Sequence, residues 1–269
     1  MIRKKIDCHT HIVNSKIRDE YFSRTDGYAV VMQFPDVLSK GIVDEDSLNT
    51  VNSDRRLFYS PCIDISKEIP PQLKNIEEII PKCPVVGLKI FLTYQAGKAD
   101  DDRMLCIYEF ARTHGLSVTF HTGSCSLVLP TANDMEGSRA VYIKNMAEKF
   151  PEVNFIAAHM DDPRFDECIQ VMHGHDNIFT DFSGAYEPGT KEGADMQWAI
   201  DTFAKAINQY PDTYKQIVYG TDFCPPINLS AIDEYEYTIS KIFTPDKFED
   251  IYWNNCLRAF PKIKEYIGA

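Results

Sequence analysis

No stretch of this chain stays apolar for long. Hydrophobic residues make up 44% of its 269 positions, yet no window approaches the roughly 18 apolar residues of a membrane-spanning helix. Arg3-Lys4-Lys5 runs into Ile6 and at once into Asp7, so the apolar core of a secretory signal, about 7–15 residues, does not develop. These absences predict a soluble, cytoplasmic protein with no membrane partner. A basic stripe is missing too. The formal net charge is −12, whereas nucleic-acid binding calls for clustered lysine and arginine. No CxxC pair occurs among the eight cysteines, which stand singly at Cys8, Cys62, Cys83, Cys106, Cys125, Cys168, Cys224 and Cys256. Such scatter suits reduced, mostly buried thiols rather than a disulfide framework. Cys224, just past Asp222, is the one best placed to line a pocket. There is no internal repeat, no low-complexity tract and no visible domain boundary, so one domain over residues 1–269 is expected.

What is present is a march of β-type runs, at residues 5–9, 28–34, 57–63, 85–91, 116–121, 154–159, 178–182 and 217–222. Most are short, rich in Val, Ile and Phe, and end in polar or turn residues, as parallel strands covered by helices do. Helical spacing appears between them at 103–112, 140–150, 165–172 and 197–210, and after the last at 229–242 and 245–260, with a shorter helix at 19–23. Strand–helix alternation carried to eight strands predicts a single (β/α)₈ TIM barrel, an α/β fold whose usual size is about 250 residues. An open doubly wound sheet is the rival. It advertises a glycine-rich phosphate turn after its first strand, and here that turn is His9-Thr10-His11.

Four strand ends carry metal-binding side chains: Asp7-Cys8-His9-Thr10-His11, Phe120-His121, Ala158-His159 and Thr221-Asp222. In a barrel the carboxyl ends of all strands open on one face, where active sites sit. Alternate strand residues share a face, which puts the Cα atoms of His9 and His11 roughly 6.6 Å apart and lets both rings reach one cation. Imidazole and carboxylate donors suit a divalent metal, zinc above all, with iron, manganese and nickel also compatible. Each residue has a plainer reading: packed barrel histidines for His9 and His11, a strand-end residue for His121, a cap for Asp222. His159 is open between ligand, base and orienting group. His173-Gly174-His175 repeats the HxH spacing but precedes a strand, at the face that supports stability, and is read as a solvated loop. His114 ends a helix on that same face.

Together these stretches resemble the amidohydrolase superfamily, most closely its amidohydrolase-2 branch of metal-dependent hydrolases and non-oxidative decarboxylases. The resemblance rests on Ile6-Asp7-Cys8-His9-Thr10-His11, Val86-Gly87-Leu88-Lys89-Ile90, Phe120-His121-Thr122-Gly123, Phe155-Ile156-Ala157-Ala158-His159, Asn177-Ile178-Phe179-Thr180-Asp181-Phe182-Ser183, Val218-Tyr219-Gly220-Thr221-Asp222 and Asn255-Cys256-Leu257-Arg258-Ala259-Phe260. It implies that His9, His11, His121 and Asp222 hold one divalent ion, while His159 serves the chemistry or binds a second ion. One departure stands out: the branch commonly has Gly-x-Lys-x-His on the fourth strand, and Phe91 occupies the histidine place. Lys89 on that strand is a bridging carboxylated lysine in some members. Here it is expected instead to pair with Asp7 or with a substrate carboxylate, because a lone buried ammonium is costly.

The function expected is that of a metal-dependent hydrolase that activates a water against a small-molecule ester, lactone or amide. Asp222 is the general base and His159 an acid/base or electrophile. A metal-dependent decarboxylase is the alternative, placed second because few long loops exist to build a lid over an aromatic acid. A non-catalytic, metal-free barrel is the third. Substrate contacts belong to the strand-to-helix loops, at 93–95, 124–129, 161–164, 183–187 and 223–228. Arg164 is a candidate carboxylate anchor, with a solvent-facing helix charge as its competing role. A homo-oligomer is compatible with the sequence.

Overall fold

A computed structural model describes residues 4–35, 46–124, 135–184, 186, 194–223 and 229–268. In chain order its elements are β1 (Ile6–Thr10), α1 (Ser15–Arg24), β2 (Tyr28–Met32), α2 (Ser47–Ser53), β3 (Leu57–Ser60), α3 (Ile69–Ile79), β4 (Gly87–Phe91), α4 (Leu92–Gln95), α5 (Leu105–His114), β5 (Ser117–His121), α6 (Ala140–Lys149), β6 (Phe155–Ala158), α7 (Phe165–Met172), β7 (Ile178–Thr180), α8 (Ala194–Gln209), α9 (Ser230–Ile242), α10 (Asn255–Ala259) and α11 (Ile263–Ile267). Every strand pair is parallel. β1-β2-β3 form one sheet and β4-β5-β6-β7 another.

Single bridges join the two sheets into a ring. Tyr59 pairs with Val85 and Cys62 with Lys89, which links β3 to β4. On the other side residues 217–223 stand where an eighth strand is expected, touching β7 through Thr180–Ile217 and β1 through Thr10–Phe223. Main-chain hydrogen bonds follow the same path: Val218 N to Thr180 O at 2.9 Å, Cys8 N to Tyr219 O at 2.8 Å and Asp222 N to His9 O at 2.8 Å. This last segment is not a regular strand, and the reason is local. The Tyr219 amide donates instead to the carbonyl of Ile251, inside a π-helical turn at Asp250–Asn254, at 3.1 Å. The single closing helix expected at 245–260 is accordingly broken into a 3₁₀ turn, that π turn and α10.

Strand alternation sorts the core in two. Ile6, Cys8, Val30, Met32, Phe58, Val86, Ile156, Phe179 and Val218 fill the inside of the ring, floored by Cys256, Leu257, Phe260 and Ile263 of the closing helices. The opposite faces of the strands, including Ala29, Val31, Leu88, Ile90, Val118 and Phe120, pack against the helical layer. With the floor sealed by side chains, the open end is the one to which the strand carboxyl termini point. α1 is longer than the short helix expected at 19–23 because Asn14 caps it, accepting the Ile17 amide at 3.0 Å. Cys8, Cys62, Cys83, Cys106, Cys168 and Cys256 are all free thiols, as expected; Cys125 and Cys224 lie outside the described residues. Among the described residues no helix is long and apolar enough to cross a membrane.

Candidate metal centre

The first strand reaches the open end through an irregularity. Strict alternation from Ile6 and Cys8, which point into the barrel, would turn His9 and His11 outward. The β1–β2 register shifts between Asp7 and Thr10, and Thr10 turns its hydroxyl to the Val30 carbonyl at 2.9 Å. His9 and His11 thereby both face the mouth, on the same side as Asp222. Gly220 makes room for this approach: a Cβ there would lie 3.0 Å from the Asp181 Cβ and 3.1 Å from that of His9.

Three atoms converge. His9 Nε2 lies 3.4 Å and His11 Nε2 3.1 Å from Asp222 Oδ1, and the three residues form a candidate metal-binding group. Their second nitrogens determine which atoms carry protons. His9 Nδ1 faces the Asp181 carboxylate at 3.1 Å and His11 Nδ1 faces the Met32 carbonyl at 2.7 Å. Both partners only accept, so both Nδ1 atoms donate, and in the neutral rings both Nε2 atoms present lone pairs. Two imidazole lone pairs and a carboxylate oxygen thus converge, with the Lys89 ammonium 3.1 Å from His9 Nε2 at their edge, a geometry that a divalent cation would satisfy. The donor set and the anchored outer nitrogens fit a divalent metal.

Asp181 is a candidate site residue that the sequence did not single out. It is buried, and besides His9 it accepts the His159 amide at 3.2 Å, the Ser183 amide at 3.0 Å and the Ser183 hydroxyl. It also forms a second candidate group with His9 and His159. The signal was available: Asp181 lies in a β run, at the carboxyl end of β7, by the same logic that singled out Asp222.

His121 is brought to the site but joins it through His159. His159 Nε2 lies 2.9 Å from His121 Nδ1, while the outer nitrogens face carbonyls, His159 Nδ1 to Ser183 O at 2.7 Å and His121 Nε2 to Ser124 O at 3.0 Å. Both outer nitrogens therefore carry protons, and the inner pair can bond only through one more proton or a common cation. His159, Met160 and Asp161 are all left-handed, with φ of 66°, 50° and 56°, a costly run for non-glycine residues. The Asp161 carboxylate holds the turn by accepting the Ala140 amide at 2.9 Å and the Arg164 guanidinium at 2.7 Å. Gly184, at φ +73°, closes over the ring, since a Cβ there would stand 2.6 Å from His159 Nδ1.

The two residues expected to contact substrate are both engaged within the protein. Arg164 is bound to Asp161 and to the Met135 carbonyl at 2.8 Å. Lys89 is fully buried and donates to His9 Nε2 at 3.1 Å. Its pairing with Asp7 does not form, because Asp7 is taken by Tyr21, Thr221 and two backbone amides. Phe91 makes its part of the mouth apolar. With Val13, Phe34 and Tyr94 it forms a separate cluster; Phe34 stacks on His11 at 3.9 Å and Tyr94 lies 4.7 Å from His121. His173 and His175 stay away from the site, stacked on Tyr210 and bonded to the Val171 carbonyl. Parts of the loops after β5, after β7 and at 224–228 lie outside the described residues.

Electrostatics agree with a neutral, ligand-ready His9. Burial, then the charge of Lys89, outweighs Asp181 and Asp222 and brings its pKa down to about 4. Burial pushes Asp181 up, but His9 prevails and holds it at about 2; Asp222 is likewise held well below the carboxylate range by His9 and His11 against its burial. A base whose folded pKa is lowered contributes stability that is complete above its unfolded value and lost as pH falls toward the folded one. For His9 that window runs from 6.5 to about 4. The metal-free protein is expected to lose roughly 3 kcal/mol across it from this group. Asp7, whose burial raises its pKa to about 7, acts with the opposite sign over the same range. Urea unfolding at stepped pH of the wild type against His9→Gln therefore isolates the loss, and an identical pH dependence in the two contradicts a buried neutral His9.

A family model described as Amidohydrolase matches residues 54–262. The chain belongs to the amidohydrolase family. No curated protein matches it in sequence, but solved structures do in fold. An uncharacterized TIM-barrel protein from Bordetella bronchiseptica aligns with a TM-score of 0.67 at 15% identity, covering 97% of this chain and 99% of the other. A probable 2-pyrone-4,6-dicarboxylic acid hydrolase from Acinetobacter baumannii gives 0.66 at 13%, with 96% and 99% covered. A 2,6-dihydroxybenzoate decarboxylase complexed with 2,6-dihydroxybenzoate gives 0.62 at 10%, with 97% and 100% covered. The fold of this amidohydrolase is the TIM barrel expected from its strand pattern. The matched span contains His121, His159, Asp181 and Asp222 and starts after His9 and His11, which join the site through their own spacing and the geometry above.

Proposed function

We propose that this amidohydrolase is a metal-dependent hydrolase of a small-molecule ester, lactone or amide. The observation that carries this reading is the convergence of two anchored imidazole lone pairs and one carboxylate at the open end of the barrel. His9, His11 and Asp222 would hold the ion, with zinc the best match to the donors, and His121 stands close enough to His159 to join them. A divalent ion there supplies Lewis acidity and lowers the pKa of water from 15.7 toward about 7.

The chain's own residues do the rest. Asp222 is the one member of the trio with appreciable exposure, 23% of its side chain, and is positioned to take the proton of the attacking water and pass it to the leaving group. Asp181 fixes the His9 tautomer. His159, locked by the Ser183 carbonyl, carries or receives the proton between its Nε2 and His121. Burial and the charges of His159 and Lys89 hold His121 well below the usual histidine pKa, which keeps its ring neutral and leaves the shared proton to His159.

Decarboxylation of a small carboxylic acid is the second reading, favoured by the aromatic rings of Phe34, Phe91 and Tyr94 beside the candidate ligands, a wall on which a flat acid could stack. A screen of the zinc-loaded protein separates the two. Lactones, esters and amides are followed by acid release in a pH-stat, aromatic and enoic acids by CO₂ release. Acid release from the first set is expected; CO₂ evolution with no ester, lactone or amide cleavage would reverse the order.

A further inference from the structure

The structure assigns to Asp7, a residue outside the converging trio, the task of setting the distance between the β1 imidazoles and Asp222, and we infer that it acts through Thr221 as the residue that positions the metal centre. The inference rests on the metal reading given above. Asp7 is fully buried, and each of its oxygens is used twice. Oδ1 accepts the His9 amide at 3.2 Å and the Thr221 amide at 3.1 Å; Oδ2 accepts the Thr221 hydroxyl at 2.6 Å and the Tyr21 hydroxyl at 2.8 Å. One carboxylate therefore grips both sides of the seam where β1 meets residues 217–223. His9 and Thr221 are each the immediate support of a converging side chain, His9 being one itself and Thr221 preceding another.

The seam needs such a clasp. Residues 217–223 meet β1 through one bridge and three main-chain hydrogen bonds, Cys8 N to Tyr219 O, Asp222 N to His9 O and His11 N to Phe223 O, rather than a continuous ladder. Asp222 holds a left-handed φ of 49°, a conformation aspartate tolerates better than most non-glycine residues but at some cost. The Asp222 amide donates to the His9 carbonyl at 2.8 Å, and the Thr221 hydroxyl accepts the Phe223 amide at 3.2 Å. The residue before Asp222 and the residue after it are thus tied to one hydroxyl, and that hydroxyl is tied to Asp7. Tyr21, from α1, closes the fourth lone-pair site and packs on Phe223 with ring centroids 5.2 Å apart. Loss of the clasp would leave every converging side chain in place but relax the spacing on which a common cation depends. Outer partners of metal ligands are worth about 10–100-fold in metal affinity.

The test is cobalt and zinc binding by the full chain with Thr221→Val, which keeps shape and removes the hydroxyl, and Thr221→Ser, which restores it. Expected is a Zn²⁺ Kd by chelator competition about 10–100-fold weaker for Thr221→Val, a shifted visible band in its Co²⁺ form, and a return of both to near wild type in Thr221→Ser. Tyr21→Phe, which removes one of the four bonds, is expected to fall between. Far-UV circular dichroism of the metal-free variants confirms that they are folded. Equal Kd and an unchanged cobalt band in a folded Thr221→Val overturn the clasp and leave the hydrolase reading standing. A wild-type protein that takes up neither ion overturns both.

Discussion

Replacing His11 with alanine is expected to strip the protein of its metal and reduce turnover to that of the metal-free protein. His11 supplies one of the two lone pairs that meet Asp222, at 3.1 Å, and its ring is held from two sides, by the Met32 carbonyl at 2.7 Å and by Phe34 stacked at 3.9 Å. Losing a ligand outright should cost more than the roughly 100-fold that the loss of an outer partner costs. The surrounding core should survive, because the cluster of Val13, Phe34, Phe91 and Tyr94 is separate from the two that hold the barrel together. Metal content by plasma emission and kcat on the substrate found by the screen check the outcome. A variant with full metal content would remove His11 from the site.

The second large effect is expected from His159→Asn, and it should separate binding from chemistry. Asparagine tolerates the left-handed backbone that His159 adopts at φ 66°, so the turn through Met160 and Asp161 is retained. The ring nitrogen that faces His121 at 2.9 Å is lost. Metal content should remain within about twofold of wild type while kcat falls by about 10²–10⁴, the usual weight of a positioned acid or base. Loss of metal in parallel with activity would make His159 a ligand instead. Unchanged kcat would exclude it from the chemistry.

Much of this site is legible in the sequence because barrel topology does the gathering. Residues as far apart as His9 and Asp222 meet because each ends a β run on the same face, and β-type runs are recognisable from Val, Ile and Phe content alone. Seven of the eight runs became strands. The eighth, at 217–222, kept its place and lost its ladder, because the π turn at Asp250–Asn254 draws the Tyr219 amide away, something no local pattern in 217–222 announces. Alternation justified pairing His9 with His11 but not their common face with Cys8, which depends on the register shift at Asp7 and Thr10.

Partner choice was the less legible part. Lys89 faces inward as its parity requires, yet it meets His9 rather than Asp7, since Asp7 is saturated by groups from α1 and from 217–223 that sequence spacing does not bring near it. Beyond its place at a strand end, Asp181 carries no sign in the sequence that separates it from a turn aspartate. Its role appears only when His9 Nδ1 is found 3.1 Å away.

The most direct test of a cation gathered at the barrel mouth is the metal K-edge X-ray absorption spectrum, with stoichiometry, of the zinc-loaded protein. Bound zinc is expected with imidazole nitrogens and carboxylate oxygen in its shell, at the roughly 2.0–2.2 Å usual for such ligands, and with that imidazole signal lost in His11→Ala. Zinc that fails to bind, or that binds with the same spectrum when His11 is gone, would contradict the account.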